Sequence, residues 1–546
     1  MRRIIDHPDL GEIVMPSPRA SRLLAVAAAL AATLTVLGTV GDADAQTPSR
    51  GGTLNTIVNP EPPILILGLN NQGPTLMVGG KIYESLLKYD LTLKPMPALA
   101  ESWTIAPDGK TYTFKLRRNV KFHDGKPMTA DDVVFSVMKW HMEVSPRSRA
   151  IFQKLKSVTA PDPHTVVFEL PEPFEPFILM FDATAAAIVP KHLYDGTDFK
   201  TNPNNSTPIG TGPFKFKEWR KGSFIHLTRN PDYWDAGKPY LDEIYYRVIP
   251  DAASRALALE TGVVQLAQNN DIEPFEIPRF RAMQNLEITG KGWEMFSPLA
   301  WMDLNVREAP LNDKRFRQAL MYAIDRNFIR EKIWFGLGRV PTGPVASTTR
   351  FYDKDVPLYP HDPKKATELL DQMGLKPDAR GVRVKLKNLT LPYGEVWTRT
   401  AEYVKQALAR VGVEITIEAT DAGTWAARIG RWEYETSFNF VYQWGDPTLG
   451  VQRTYITDNI KKITFTNTMG YSNPRVDELF AKAAVAITAG ERQTMFSEAQ
   501  RILAEDLPVI WLLELEFPTI YDKRLKNVIS TGVGPNDNFA DVYFAK

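Results

Sequence analysis

The sequence predicts an α/β protein built from more than one domain. At 546 residues the chain is too long for a single compact core, so about two or three domains are expected. From Ala401 to Val411 it reads as a helix, Gly412 stops that helix, and Val413-Glu414-Ile415-Thr416-Ile417 alternates as a strand. Helix, glycine and alternating strand make the rhythm of a parallel α/β sheet. Elsewhere short alternating runs meet at Asp-Gly turns, which adds antiparallel hairpins to that unit.

In chain order, Gly51 to Val58 reads as an opening strand, ended by Asn59-Pro60-Glu61-Pro62-Pro63. A helical stretch is expected from Thr75 to Leu87. Trp103-Thr104-Ile105 and Thr111 to Leu116 alternate about Pro107-Asp108-Gly109 and predict a hairpin. Asp124-Gly125 makes another turn. Thr129 with Asp132 three residues on is a capping box, and Val133, Val134, Val137 and Met138 supply the apolar face of the helix it opens. Val166 to Leu170 is a strand closed by Pro171. The glycines of Ile209-Gly210-Thr211-Gly212-Pro213-Phe214 lead into a strand pair that ends at Asn230-Pro231. After Asp313, apolar residues at Phe316, Ala319, Leu320, Ala323 and Ile324 repeat with helical spacing. Asp362-Pro363 opens another helix with a cap and a first-turn proline, running to Gly374. No internal repeat is visible.

The beginning of the chain carries an address. Arg19-Ala20-Ser21-Arg22 is basic, Leu23 to Val40 is apolar, and Ala43-Asp44-Ala45 precedes Gln46, the pattern of an export signal cleaved after Ala45. The apolar run is alanine-rich and broken by Thr33, Thr35 and Gly38, which favours a signal over a membrane anchor. There is no cysteine, so disulfides, thiolate catalysis and cysteine metal ligands are all excluded. The site at which bacterial lipoproteins carry their lipid is missing too. With 65 Lys+Arg against 64 Asp+Glu, no basic excess points to nucleic acid or a membrane surface.

Catalytic signatures are missing. The sequence has no Gly-x-x-x-x-Gly-Lys-Ser/Thr loop, no His-Glu-x-x-His helix and no Gly-x-Ser-x-Gly elbow. Its seven histidines are scattered, without ligand spacing. No catalytic residue, metal site or cofactor is therefore predicted. What stands out is aromatic: Trp425, Trp432, Tyr434, Tyr442 and Trp444, followed by Gly445-Asp446-Pro447. Two readings stand. The rings line a concave site with Asp446 meeting a cation or an amide donor, or they fill a core and Asp446 starts a turn. The loop Leu391-Pro392-Tyr393-Gly394-Glu395-Val396-Trp397 is a second candidate, since α/β lobes hold ligands at strand-to-helix loops. It reads equally as an ordinary capped loop.

Several blocks together resemble the periplasmic solute-binding proteins of peptide and nickel ABC importers, solute-binding protein family 5. The first runs from Met96-Pro97-Ala98-Leu99-Ala100-Glu101-Ser102-Trp103 through Asp108-Gly109-Lys110-Thr111-Tyr112-Thr113-Phe114 to Val120-Lys121-Phe122-His123-Asp124-Gly125 and Thr129-Ala130-Asp131-Asp132-Val133. Gly210-Thr211-Gly212-Pro213-Phe214 with Arg229-Asn230-Pro231-Asp232-Tyr233-Trp234 is similar to a second block. Asn305, Pro310-Leu311-Asn312-Asp313, Arg317-Gln318-Ala319-Leu320 and Ala323-Ile324-Asp325-Arg326 are similar to a third. These residues read as scaffold, being turn formers and inward strand positions.

The resemblance implies a two-lobed periplasmic-binding-protein fold of type II, with a hinge and a subdomain inserted in the first lobe. Its implied division is a signal over 1–45, first lobe over 46–82, inserted subdomain over 83–207, first lobe again over 208–296, second lobe over 297–511, and a return to the first lobe over 512–546. It implies a monomer, free in the periplasm, that binds a peptide or similar small polar solute without altering it. An ABC permease with separate ATPase subunits would receive the solute. Asn59 and Glu61 in the first lobe and Tyr393, Trp397, Tyr442, Trp444 and Asp446 in the second are the expected ligand contacts.

The chain departs from the family pattern twice. Peptide-binding relatives often carry two aspartates in a longer turn, of which only Asp446 is present here, so it matches either the amino-group anchor or the structural one. Where dipeptide-binding relatives hold a carboxylate with a basic residue, this chain has Leu391. Arg399, Arg428, Arg431 and Arg453 are alternative anion contacts or ordinary solvated charges. A secreted hydrolase and a periplasmic chaperone using the same cleft are the competing functions.

Overall fold

Two large sheets organise the chain. Among the described residues, a seven-stranded sheet has Thr53–Val58 at its centre, and a five-stranded sheet has Thr436–Val441 at its centre. The structure is a computed structural model and describes residues 48–546; the expected signal and its cleavage site after Ala45 lie outside them. No helix among those residues is long and apolar enough to cross a membrane.

In the seven-stranded sheet, Thr53–Val58 runs parallel to Glu243–Val248 on one side and to Leu266–Ala267 on the other. Antiparallel strands Phe224–Arg229 and Phe214–Arg220 extend one edge, and Thr519–Asp522 and Leu286–Thr289 the other. Leu54, Ile57 and Val58 are buried, because neighbouring layers cover both faces of this central strand. The five-stranded sheet is mixed. Val413–Glu418, Val384–Leu389 and Thr436–Val441 are parallel, while Leu299–Leu304 runs antiparallel between Thr436–Val441 and Val509–Glu514.

The expected helix–glycine–strand unit is present and longer than its periodicity suggested. The helix spans Glu395–Ala409, and Gly412 at φ +86° turns the chain into Val413–Glu418. The predicted caps form: Asp313 accepts from Arg315 N at 2.8 Å and Asp362 from Lys365 N at 2.9 Å. Each satisfies an otherwise orphaned helix amide, worth about 1 kcal/mol. The capping box at Thr129 and Asp132 forms as well.

A third, four-stranded antiparallel sheet holds the predicted hairpin, Ala100–Ile105 with Thr111–Leu116, beside Thr165–Glu169 and Ser157–Asp162. Gly109, at φ +67°, makes its turn. Aromatic packing fills this subdomain, with Phe114, Phe168, Phe177 and Phe181 in mutual contact. Its apolar core is continuous with that of the five-stranded sheet.

One expected helix is shorter than predicted. Only Gly73–Gly79 of the stretch toward Leu87 is helical. The carbonyls of Lys81 and Ile82 accept from Phe214 N and Gly212 N instead of from the next helical turn. A side chain at Gly80 would also lie 2.1 Å from the Asn536 carbonyl oxygen. Tertiary pairing thus outcompetes a favourable local pattern.

The chain passes between the two large sheets twice, through 290–298 and through 515–518. These crossings lie side by side: Leu515 N donates to Pro298 O at 2.8 Å, and Trp293 packs edge to face on Phe517 at 4.9 Å. Leu512, where the return to the first lobe was expected, still lies within the strand Val509–Glu514 of the second sheet. The second crossing therefore falls a few residues later in the chain.

Candidate functional site

The topology of the five-stranded sheet marks one crevice. From Val384–Leu389 the chain winds through its helix to Val413–Glu418 on one side, then through Ala422–Arg431 to Thr436–Val441 on the other. Val384–Leu389 and Thr436–Val441 are parallel neighbours, so the loops leaving their carboxyl ends diverge and open a gap between them. Those loops are 390–394 and 442–446, the two segments singled out in the sequence.

Aromatic rings line the gap. Tyr393 is 43% exposed and lies 6.3 Å, centroid to centroid, from Phe440 and 6.2 Å from Trp425. Tyr442 packs against Phe440 at 5.9 Å, Phe296 at 5.2 Å and Trp444 at 5.5 Å, and Trp444 touches Phe296 at 5.2 Å. Trp293, Phe296 and Phe517 come from the two crossings, so one ring cluster joins the crevice to the connection between sheets. Tyr442 and Trp444 are half-buried. Trp397 is different: at 3% exposure it stacks beneath Phe440, with rings 6.1 Å apart and 10° from parallel, and serves the wall rather than its surface. Trp425 is fully buried and donates from Nε1 to Ser437 Oγ at 3.0 Å, a core role.

Trp444 and Gly445 both sit in the left-handed region, at φ +54° and φ +70°. For a tryptophan this costs about 1–2 kcal/mol, so the turn must be held from outside. Asp446 holds it. Its carboxylate caps the short helix Pro447–Gly450 through Thr448 N at 2.9 Å and pairs with Arg492 Nη2 at 2.8 Å. Arg492 also pairs with Glu175, and Arg350 reaches Glu175 at 3.0 Å and Asp446 at 3.8 Å. Asp446 has no exposed surface, and its charge is already matched. Between the two readings left open by the sequence, this geometry is that of the turn-forming aspartate.

The first-lobe candidates occupy the carboxyl end of Thr53–Val58. Asn59, half-buried, precedes a cis proline. Glu61 accepts from Trp219 Nε1 at 2.8 Å and from Gly222 N at 3.0 Å, which ties its loop to the neighbouring hairpin. Beside them, after Leu266–Ala267, the side-chain amide of Gln268 is enclosed and makes no hydrogen bond among the described residues. No motif flagged Gln268, because its position is set by strand order alone.

The four arginines named from the sequence separate cleanly. Arg399 pairs with Glu395 at 2.8 Å, Arg428 with Glu418 at 2.7 Å and Arg431 with Glu433 at 2.7 Å. Among the described residues Arg453 bonds only to backbone, donating to the carbonyls of Gly450 at 3.2 Å and Phe465 at 3.1 Å. The structure adds Arg147, whose guanidinium carbon lies 3.2 Å from the centroid of the Trp444 ring. Burial lowers the pKa of Arg147 to about 9 and that of Arg453 to about 10. Sequence reasoning had no signal for Arg147, which reaches the site from the inserted subdomain.

Comparison with known proteins agrees with this architecture. Residues 94–461 match the family described as bacterial extracellular solute-binding proteins, family 5. The glutathione-binding protein GsiB of Pectobacterium atrosepticum is 30% identical over 470 residues, covering 83% of this chain and 87% of that protein. The oligopeptide-binding protein AppA of Bacillus subtilis is 29% identical over 491 residues, covering 85% and 86%. The structure of the periplasmic binding protein DppA from Helicobacter pylori, in complex with the peptide STSA, superposes with a TM-score of 0.78 at 28% identity, covering 91% of this chain and 99% of that one. The chain thus has the two-lobed α/β fold of these proteins and belongs to the bacterial extracellular solute-binding proteins of family 5, which bind their solutes without catalysis.

Proposed function

We propose that this protein captures a peptide or similarly small polar solute between its two sheets and delivers it, unaltered, to an ABC permease driven by separate ATPase subunits. The observation that carries the reading is the aromatic-lined gap between the 390–394 and 442–446 loops at the crevice of the five-stranded sheet, beside the paired crossings. Tyr393, Tyr442 and Trp444 supply faces on which a solute stacks, and Asn59 and Gln268 supply polar groups from the opposite sheet. The two crossings act as the hinge. A solute that touches both lobes favours the closed arrangement and so drives closure. Names of relatives support the solute class: one binds glutathione, another oligopeptides, and a third is seen holding STSA. The protein acts as a monomer in the periplasm, released by cleavage after Ala45. The same family membership argues against the hydrolase alternative.

The test is a melting-temperature screen of the purified mature chain against glutathione, peptides of two to nine residues, opines, sugars and nickel, followed by small-angle scattering. A solute that binds only the native state raises Tm by mass action, and closure lowers the radius of gyration. A chain whose Tm no solute moves, or whose dimensions never change on binding, would sink the proposal.

A further inference from the structure

We infer that Glu175 is the latch by which the inserted subdomain grips the second lobe as the cleft closes, a positioning residue for capture and not a ligand contact; the inference rests on the closing mechanism proposed above. Among the described residues, every hydrogen bond and ion pair that joins 83–207 to 297–511 ends on this one carboxylate. Glu175 opens the turn Glu175–Met180. Its Oε1 accepts from Arg350 Nη2 at 3.0 Å and its Oε2 from Arg350 Nη1 at 3.3 Å, while Arg492 Nη1 also donates to Oε2. Toward the first lobe the same subdomain is tied at many points. Trp140 Nε1 donates to Leu67 O at 3.2 Å, His123 N to Gly210 O at 2.9 Å, Asn119 Nδ2 to Trp234 O at 2.9 Å and Tyr233 Oη to Glu84 Oε1 at 2.6 Å. The subdomain therefore travels with the first lobe, and Glu175 is where its polar contacts meet the second.

Charge and burial suit a contact that makes and breaks. Arg350 and Arg492 share one carboxylate of their own lobe, Asp446, at 3.8 Å and 2.8 Å. Glu175 supplies the second negative charge, so two cations meet two anions only when the subdomain is docked. The inner pair, Arg492 with Asp446, is shut off from water, whereas the side chains of Glu175 and Arg350 are 35% and 33% exposed. Parting the outer pair hands both charges to solvent at small cost, and dissolved salt screens their attraction. The bidentate guanidinium fork also fixes a direction, which the apolar packing around it does not. This contact acts on the binding loop itself. Asp446 belongs to the turn that carries Trp444, and a side chain at Gly445 would lie 2.8 Å from Leu93 Cδ1 of the subdomain. Closure over a solute resting on Trp444 thus seats Glu175, and each event favours the other.

The chain has no cysteine, so a pair can be introduced for spin labels. Glu172→Cys and Lys354→Cys place them at exposed positions on the two sides of the latch. Distances between the labels are measured by electron resonance on the purified mature chain, with and without glutathione or tri-alanine, at low salt and at about 0.5 M NaCl. Glu175→Gln, Glu175→Asp, Arg350→Gln and the double glutamine variant are compared with wild type. Arg279→Gln, which removes an exposed ion pair within the first lobe, is the control. In wild type the short-distance population should grow with solute and shrink at high salt. In Glu175→Gln and Arg350→Gln it should fall by roughly threefold and ignore salt, with solute Kd raised by about tenfold. The double variant should be no weaker than either single one, and Glu175→Asp should recover part of the loss. Tm of unliganded Glu175→Gln should stay within a few degrees of wild type, which a residue holding the fold would not allow. Wild-type distances in Glu175→Gln, or a double variant weakened by the product of the singles, overturns the latch, and solute-driven shifts in that variant leave the binding function standing. Distances that none of the solutes screened above moves, but that Glu175→Gln lengthens, keep the latch and overturn solute-driven closure.

Discussion

Asp446 and Arg492 form an ion pair at 2.8 Å in which neither side chain meets solvent. Arg492 lies in the long helix Ala489–Asp506 and Asp446 in the turn after Thr436–Val441, so the pair pins the aromatic loop to a rigid element. Removing one partner of a buried pair leaves the other charge uncompensated, at about 3–5 kcal/mol. Glu175 stays beside Arg492, which moderates the loss. Asp446→Asn should therefore lower stability by about 2–3 kcal/mol, read by urea unfolding. Equal stability of the variant would show that the pair does not hold the turn.

Trp444 and Tyr442 should behave as ligand contacts. Half-buried rings in such a cluster lose about 2 kcal/mol of binding on truncation, roughly thirtyfold in Kd. Trp444→Ala should weaken solute binding by that order while shifting Tm by a few degrees at most. Binding that survives the truncation at wild-type strength would move the site elsewhere.

Trp397 should respond in the opposite way. It is enclosed among Trp334, Phe438 and Phe440, so Trp397→Ala opens a cavity costing about 3–5 kcal/mol. Trp397→Phe should recover most of that. Chemical unfolding of both variants checks the order, which a surface-exposed Trp397 would not produce.

Asp303 makes the second sheet sensitive to pH. It is fully buried on Leu299–Leu304, its Oδ1 accepts from Trp301 Nε1 at 2.6 Å, and burial raises its pKa to about 7. Between about pH 4 and pH 7 the folded chain keeps a proton that the unfolded chain has released. Its contribution to stability is thus present at low pH and is lost as pH rises through about 7. Asp303→Asn keeps the acceptor and removes the ionisation, so at pH 8 it should be more stable than wild type by about 2–4 kcal/mol. The difference should shrink toward pH 5. A gap that does not change with pH would place the ionisation elsewhere.

Local pattern decided most of the elements. The hairpin at Gly109, the caps at Asp313 and Asp362 and the unit around Gly412 depend on neighbouring residues, so their spacing in the chain is enough. The helix toward Leu87 failed because its carbonyls are claimed by Gly212 and Phe214, far along the sequence. The same division runs through the site. Tyr393, Tyr442 and Trp444 line the crevice, and aromatic rings near a strand-to-helix loop are conspicuous in a sequence. Trp397 and Trp425 look the same in the sequence and turn inward, since the face of a ring is set by what packs against it.

The α/β class, the family and the absence of cysteine chemistry follow from residue types and their short-range order. Long-range packing is what pairs Asp446 with Arg492, ties Glu61 to a hairpin, and brings Arg147 over Trp444 from another subdomain. Charges are matched in space rather than along the chain, and no spacing rule tells which arginine finds which carboxylate.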